Sequence, residues 1–423
     1  MASYVSGSHT YGLAAAQTDL PPSFGSSTLP RPIPSSVQLQ NLASQSGDQT
    51  SGGMIAFQVP TGASASGYLK NNSVYLRCRV TLNGTITADS SFQMSSKSAS
   101  SIINKLTCTI NGVVVSQINN YHLLHEMLIT HATTKGYYDT DNAILQQGNT
   151  DCFAANAQNP FVDVIIPLIC PLFTADKAVP LFLLNAPIQL NLDLNNTATA
   201  FKHTGATGFT VSRAQLIYEL INVDSNYIQD VKSALSAGNA YQMNLHDFYT
   251  ANAANQATLN YQMGGNWSSV RGALYVYTAN PVNTAITALA NDTQTDFQFF
   301  IDGRQAHNFT IDNKAVQFAE MNRALGNMFD PVITSNCTAA NYVTDKYAGG
   351  ICTNRVSDVM AMTGSPAQNV QFVIRNTGTA GAVYFYLLYD QVLTIDVNGS
   401  ILLIKWERYN NLFNYFRIFN LFI

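Results

Sequence analysis

Three histidines and a glutamate fall close together, at His122, His125, Glu126 and His131. Histidine and carboxylate side chains hold zinc and shuttle protons, so the run His-Leu-Leu-His-Glu is where chemistry would first be sought. A zinc-protease helix carries its histidines at i and i+4, with a glutamate beside the first. Here they stand at i and i+3, and the glutamate follows the second. That spacing argues against a metal site and places the residues on the boundary of an amphipathic helix.

Other catalytic patterns are missing as well. The cupin type of metal site needs a His-x-His pair, and none occurs. Neither a Gly-x-Ser-x-Gly nucleophile elbow nor a Walker loop is present. Carboxylate pairs for glycoside hydrolysis are distant in sequence, and nothing singles one out. Six cysteines stand at Cys78, Cys108, Cys152, Cys170, Cys337 and Cys352, with no Cys-x-x-Cys among them. Cys78 and Cys108 fall on apolar faces of predicted strands, as small hydrophobes. A Cys337–Cys352 bridge across a loop is left open by the sequence. The expectation is a non-enzyme with no metal and no cofactor.

Composition narrows the class. The chain has 423 residues, enough for two cores, and only 11% are charged. Low charge with many Asn, Thr and Ser residues suits a surface covered by copies of itself, and equally a secreted adhesin. Net charge is −4, and the first fifty residues carry only Asp19, Arg31 and Asp48. No basic arm is available to neutralise phosphates, so direct nucleic-acid binding is not expected. The start, MASYVSGSHTYGL, has no charged region followed by an apolar core, so no secretory signal is read there.

The elements that must position any site read as strands, in two similar sets. Val74, Leu76, Cys78, Val80 and Leu82 alternate with polar residues and end at Asn83-Gly84. Leu106, Cys108 and Ile110 lead into Asn111-Gly112, a type I′ hairpin turn, and Val113–Gln117 returns. A helix follows over 120–133, with Leu124, Met127, Leu128 and His131 on one stripe and Asn119 or Asn120 as N-cap. About 190 residues on, Phe297, Phe299 and Ile301 alternate, and Asp302-Gly303 turns. Asp312 or Asn313 then caps a helix to Leu325, closed by Gly326. Between them lies FVDVIIPLICPLFTADKAVPLFLLNAPIQLNLDL, where prolines punctuate apolar runs before strict alternation at Ile188, Leu190, Leu192 and Leu194. The shared order of strand, hairpin, helix, long loop and paired strands points to a duplicated β-sandwich.

On these motifs the chain resembles the double jelly-roll major capsid proteins of tailless membrane-containing phages, virophages and related large DNA viruses. The likeness rests on the Ile-Asn-Gly turn before Asn120-Tyr121-His122-Leu123-Leu124, on Ile301-Asp302-Gly303 with Ala324-Leu325-Gly326, and on the Ile-Pro-Leu to Val-Pro-Leu stretch. It implies an all-β fold of two eight-stranded antiparallel jelly-roll sandwiches side by side, each with a short helix insert. It also implies a pseudo-hexagonal homotrimer tiling an icosahedral virion shell, touching neighbouring capsomers, minor capsid and vertex proteins, and in some members an internal membrane. Such a protein would be made in the host cytoplasm or nucleus and reside in the capsid. Two alternatives remain: a viral spike or cell-surface adhesin on a β-sandwich, and a double jelly-roll carbohydrate-active enzyme.

The organisation expected is an arm over 1–37, a first jelly roll over 38–224, a linker over 225–245, a second jelly roll over 246–404, and a helix over 405–423. Inserts at Tyr137–Pro160 and Asn327–Met362 would supply tower or inter-subunit loops. In the last helix, Tyr409, Leu412, Phe413, Phe416 and Phe419 form an apolar face opposite Asn410, Asn414 and Arg417. That face would meet a membrane surface or partner beneath the shell, or pack on its own subunit.

Overall fold

Alternation of apolar residues fixes the strands. In Ile188–Leu194 every second side chain is buried, and the same period runs through Tyr75–Asn83. The computed structural model describes residues 35–404, apart from 63–64, 66, 85–92, 95–97, 147–158, 203–206, 237–239, 279–293, 327–336, 345, 354–363 and 378–380.

Eight main strands build the first half. They are β1 (Ser35–Ala43), β2 (Met54–Val59), β3 (Tyr75–Asn83), β4 (Ile103–Ile110), β5 (Val113–Asn119), β6 (Phe161–Pro167), β7 (Ile188–Leu194) and β8 (Gly208–Val223). One antiparallel sheet runs β1–β8–β3–β6 and the other β2–β7–β4–β5, with short strands such as Gly67–Leu69 and Val179–Pro180 extending the first. The chain crosses between the sheets at almost every connection, which is the winding of a jelly roll. Phe57, Leu76, Val80, Leu106, Ile166, Leu190 and Leu216 fill the space between the layers and are wholly buried.

The second half repeats this winding with β9 (Tyr241–Ala254), β10 (Thr258–Thr278), β11 (Gln294–Ile301), β12 (Arg304–Gln305), β13 (Gly349–Cys352), β14 (Ser365–Asn376), β15 (Ala382–Ile395) and β16 (Ile401–Ile404). Its strand order is β9–β15–β10–β14–β11–β12, with β13 beside β10 and β16 beside β15. The long strand β10 does the work of two. Thr258–Gly264 pairs with β14, Gly272–Thr278 pairs with β15, and register shifts between them turn the strand from one layer into the other. A Cβ on Gly265 would lie 2.6 Å from the Trp267 ring, so the first of these bends is tightly packed.

Both hairpins turn as their residues demand. Asn111 and Gly112 have φ of 51° and 76°, and Asp302 and Gly303 have 48° and 77°. Helix α1 spans Tyr121–Ala132, α2 Ser225–Ser236 and α3 Lys314–Leu325. At α3 the Asn313 side chain accepts the Val316 N–H at 2.9 Å, and Gly326 closes the helix at φ 79°. At α1 the expected side-chain cap is absent. Asn120 sits there at φ 50° without a side-chain cap bond, and its carbonyl accepts from Leu123 N–H and from the Tyr386 hydroxyl instead.

Three further expectations need correction. The stretch read as a polar linker folds as α2, because Ile228, Val231 and Leu235 fall at i, i+3 and i+7 and pack on the core. Strand β9 then starts at Tyr241, inside the expected linker, and β1 starts at Ser35, inside the expected arm. The stripe expected on α1 is instead burial all round, with Tyr121, His122, Leu124, His125, Glu126 and His131 all enclosed. Cys78 and Cys108 are buried as expected, and Cys337 and Cys352 are not joined by a disulfide. Of the two inserts, Tyr137–Asp141, Asn142–Gln146, Ala339–Thr344 and β13 are ordered elements, and 147–158, 327–336 and 354–363 lie outside the described residues.

Candidate assembly surfaces

The three histidines do not converge. His122 Nδ1 meets Asn195 Nδ2 at 3.2 Å, His125 Nε2 donates to the Pro167 carbonyl at 3.1 Å, and His131 Nε2 donates to the Lys346 carbonyl at 2.9 Å. Each ring meets a different segment of the chain. Burial pushes all three down to about 4, so they are neutral near pH 7. Among the described residues no group of three His, Cys, Asp or Glu side chains could hold a metal. The helix acts as a bolt, and His131 ties it to the second half.

One cluster looks catalytic and was not foreseen. Asp390, buried within the apolar strand β15, accepts from Ser269 Oγ at 2.5 Å and lies 2.8 Å from His246 Nδ1. A nucleophilic serine must give its proton to histidine, but here Ser269 donates to the carboxylate and also accepts Gly364 N–H at 2.8 Å. Ser269 is fully buried, so no substrate carbonyl reaches it. The cluster braces β15 against β9 and β10.

The richest polar geometry is the joint between the halves. Strand β9 packs against β5. Asp247 on β9 is buried there and accepts from Ser116 Oγ at 2.8 Å, Tyr389 OH at 2.7 Å and Gln391 Nε2 at 3.3 Å. Gln391 also donates to the Val115 carbonyl at 2.9 Å, and Asn119 donates through its backbone N and its Nδ2 to Thr250 Oγ1. Beside Asp247, Met243 and Leu245 are wholly buried on alternate positions of β9. A buried carboxylate satisfied by three neutral donors is a specific contact, since a shift of the strands leaves it unpaired.

The proline-rich corner between β6 and β7 reaches across as a strap. Asp176 accepts Asn244 N and Nδ2 at 3.0 and 3.1 Å, Lys177 Nζ donates to the Gln242 carbonyl at 2.9 Å, and Tyr241 OH donates to the Ala178 carbonyl at 2.9 Å. Asn185 Nδ2 donates to the Asn398 carbonyl. Gly399, at φ 73°, lies so close that an added Cβ would sit 2.5 Å from the Leu183 carbonyl oxygen.

Elsewhere the surface is open. Val37 and Leu39 on β1 are 59% and 64% exposed, and Phe309 beyond β12 is 51% exposed. Tyr409, Leu412, Phe413, Phe416 and Phe419, the expected contact face, lie outside the described residues. Among the described residues no helix is long and apolar enough to cross a membrane.

By sequence, the chain matches no family profile and no curated protein. By structure it is similar to the PBCV-1 virus capsid, with TM-score 0.61 at 11% identity, covering 90% of this chain and 99% of the other. It is similar also to the Faustovirus major capsid protein, with TM-score 0.61 at 9% identity over 90% and 96% of the two chains. The Sputnik virophage structure gives TM-score 0.55 at 12% identity over 91% and 94%. The two joined sandwiches therefore have the double jelly-roll fold found in these capsid proteins.

Proposed function

We propose that this chain is a major capsid protein that self-assembles as pseudo-hexagonal homotrimers and builds an icosahedral virion shell. The observation that carries this reading is the edge-to-edge joint of two like-wound sandwiches within one chain. Three copies of such a pair give six similar corners, and a six-cornered block tiles a face through repeated lateral contacts. The likeness to viral capsid chains over nine-tenths of this one supports it. The chemistry is then that of assembly, with loops at one end of the strands available to face outward. In this reading residues 35–223 and 241–404 form the two halves of the block. Tyr409, Leu412, Phe413, Phe416 and Phe419 contact a partner or membrane beneath it.

Negative-stain imaging of the purified chain tests the reading. Particles with a hexagonal outline are expected, and a field of elongated single pairs of sandwiches would overturn it.

A further inference from the structure

The outer face of the first sandwich carries more positive charge than it pairs. Along β3, Arg77 and Arg79 point away from the core, alternating with the buried Leu76, Cys78 and Val80. Arg79 lies across from Asp163 on β6 and holds it with two bonds, Nε to Oδ1 at 2.9 Å and Nη2 to Oδ2 at 2.8 Å. On the other side of β3, strand β8 breaks register between Ser212 and Gln215. There Ser212 and Arg213 both face outward, between the buried Val211 and Ala214, so a bulge adds an arginine to this face. Arg213 is held at φ 52°, a conformation that costs a non-glycine residue about 1 kcal/mol and that collects at functional sites.

Three guanidinium groups thus share one carboxylate. Arg79 first, then Arg213 and Arg77, hold the Asp163 carboxyl below its usual range. The fork of Arg79 is taken up by Asp163, while Arg77 and Arg213 form no ion pair among the described residues. Two positive charges are left over, on a chain whose net charge is −4. Beside them Phe161 is 56% exposed, with the Arg79 guanidinium 4.0 Å from the centre of its ring. The patch stands where β3 stops and the Tyr137–Pro160 insert returns to β6, the last strand of its sheet.

We propose that Arg77 and Arg213, with Phe161 beside them, form a binding site for a glycan that bears carboxylate groups, of the uronic or sialic acid type. The planar guanidinium fork matches a carboxylate through two parallel bonds, as Arg79 already shows on Asp163. The exposed ring gives the apolar face of a sugar a flat support. Asp163 is 55% exposed and has lone pairs to spare, so it accepts sugar hydroxyls. The same carboxylate repels phosphate, and one compact cluster lacks the long basic stripe that a nucleic-acid backbone needs. All these residues belong to one chain, so the site is complete in a monomer and stands or falls apart from the shell reading.

Calorimetric titration of the full-length chain with hexagalacturonate tests it, with hexaglutamate and a thymidine hexanucleotide as control anions. The sugar is expected to bind at one site per chain, and both controls are expected to bind more weakly. Arg77→Gln and Arg213→Gln change exposed side chains and keep the fold. Each should weaken binding by about tenfold, the worth of one charge-assisted contact. Phe161→Ala should weaken it by about threefold. Lys135→Gln, at an exposed cation outside the patch, should leave it unchanged. Absence of sugar binding, a control anion that binds as tightly, or an affinity indifferent to both arginine substitutions would overturn the inference.

Discussion

Asp247 accepts hydrogen bonds from Ser116, Tyr389 and Gln391. Replacing it by alanine strands those donors in a buried joint, and the expected loss is about 3 kcal/mol of stability. Urea unfolding of Asp247→Ala measures it, and a change within a few tenths would show that the joint is not stabilising. The histidines of α1 give a second prediction at this scale. Their folded values of about 4 lie below the ordinary 6.5, so the unfolded chain binds protons first as pH falls. Their contribution is complete above about pH 6.5 and is lost progressively towards pH 4, at about 3 kcal/mol for each ring. The melting temperature should therefore fall steeply across that window, and His125→Gln should flatten the slope. A profile level between pH 6.5 and 4 would contradict the burial of these rings in the neutral form.

At the scale of elements, the strap between β6 and β7 and the turn after β15 meet at Gly399, where backbone approach leaves no space for a side chain. Gly399→Ala combines a positive φ with that clash, and a loss of about 2 kcal/mol is expected. Differential scanning calorimetry would show it as a lowered midpoint. Strands and turns were legible because their signals are local. Alternation at Ile188–Leu194, Asn111-Gly112, Asp302-Gly303 and the Asn313 and Gly326 caps all act within a few residues. Helix α1 was misjudged because its surroundings are not local. Its polar side chains are buried by segments far away in sequence, among them Pro167, Asn195 and Lys346. Segment Ser225–Ser236 did not read as a helix because Ile228, Val231 and Leu235 make a thin stripe among mostly polar residues, and packing on the core makes it one.

For the whole molecule, duplication was legible from the recurrence of one element order. The joint was not, since its partners lie more than a hundred residues apart and Asp247 looks like any strand carboxylate in sequence. What the repeat adds is a physical reason for the proposed assembly, since two like-wound halves in each of three copies give six similar corners. The polar joint favours one register over another, while the buried apolar positions beside it, Met243 and Leu245, supply most of its stability. The measurement that tests this most directly is the solution mass of the purified chain by light scattering after size exclusion. A species at three times 46.0 kDa that persists on dilution is the predicted result. A clean monomer of 46.0 kDa at every concentration would contradict it.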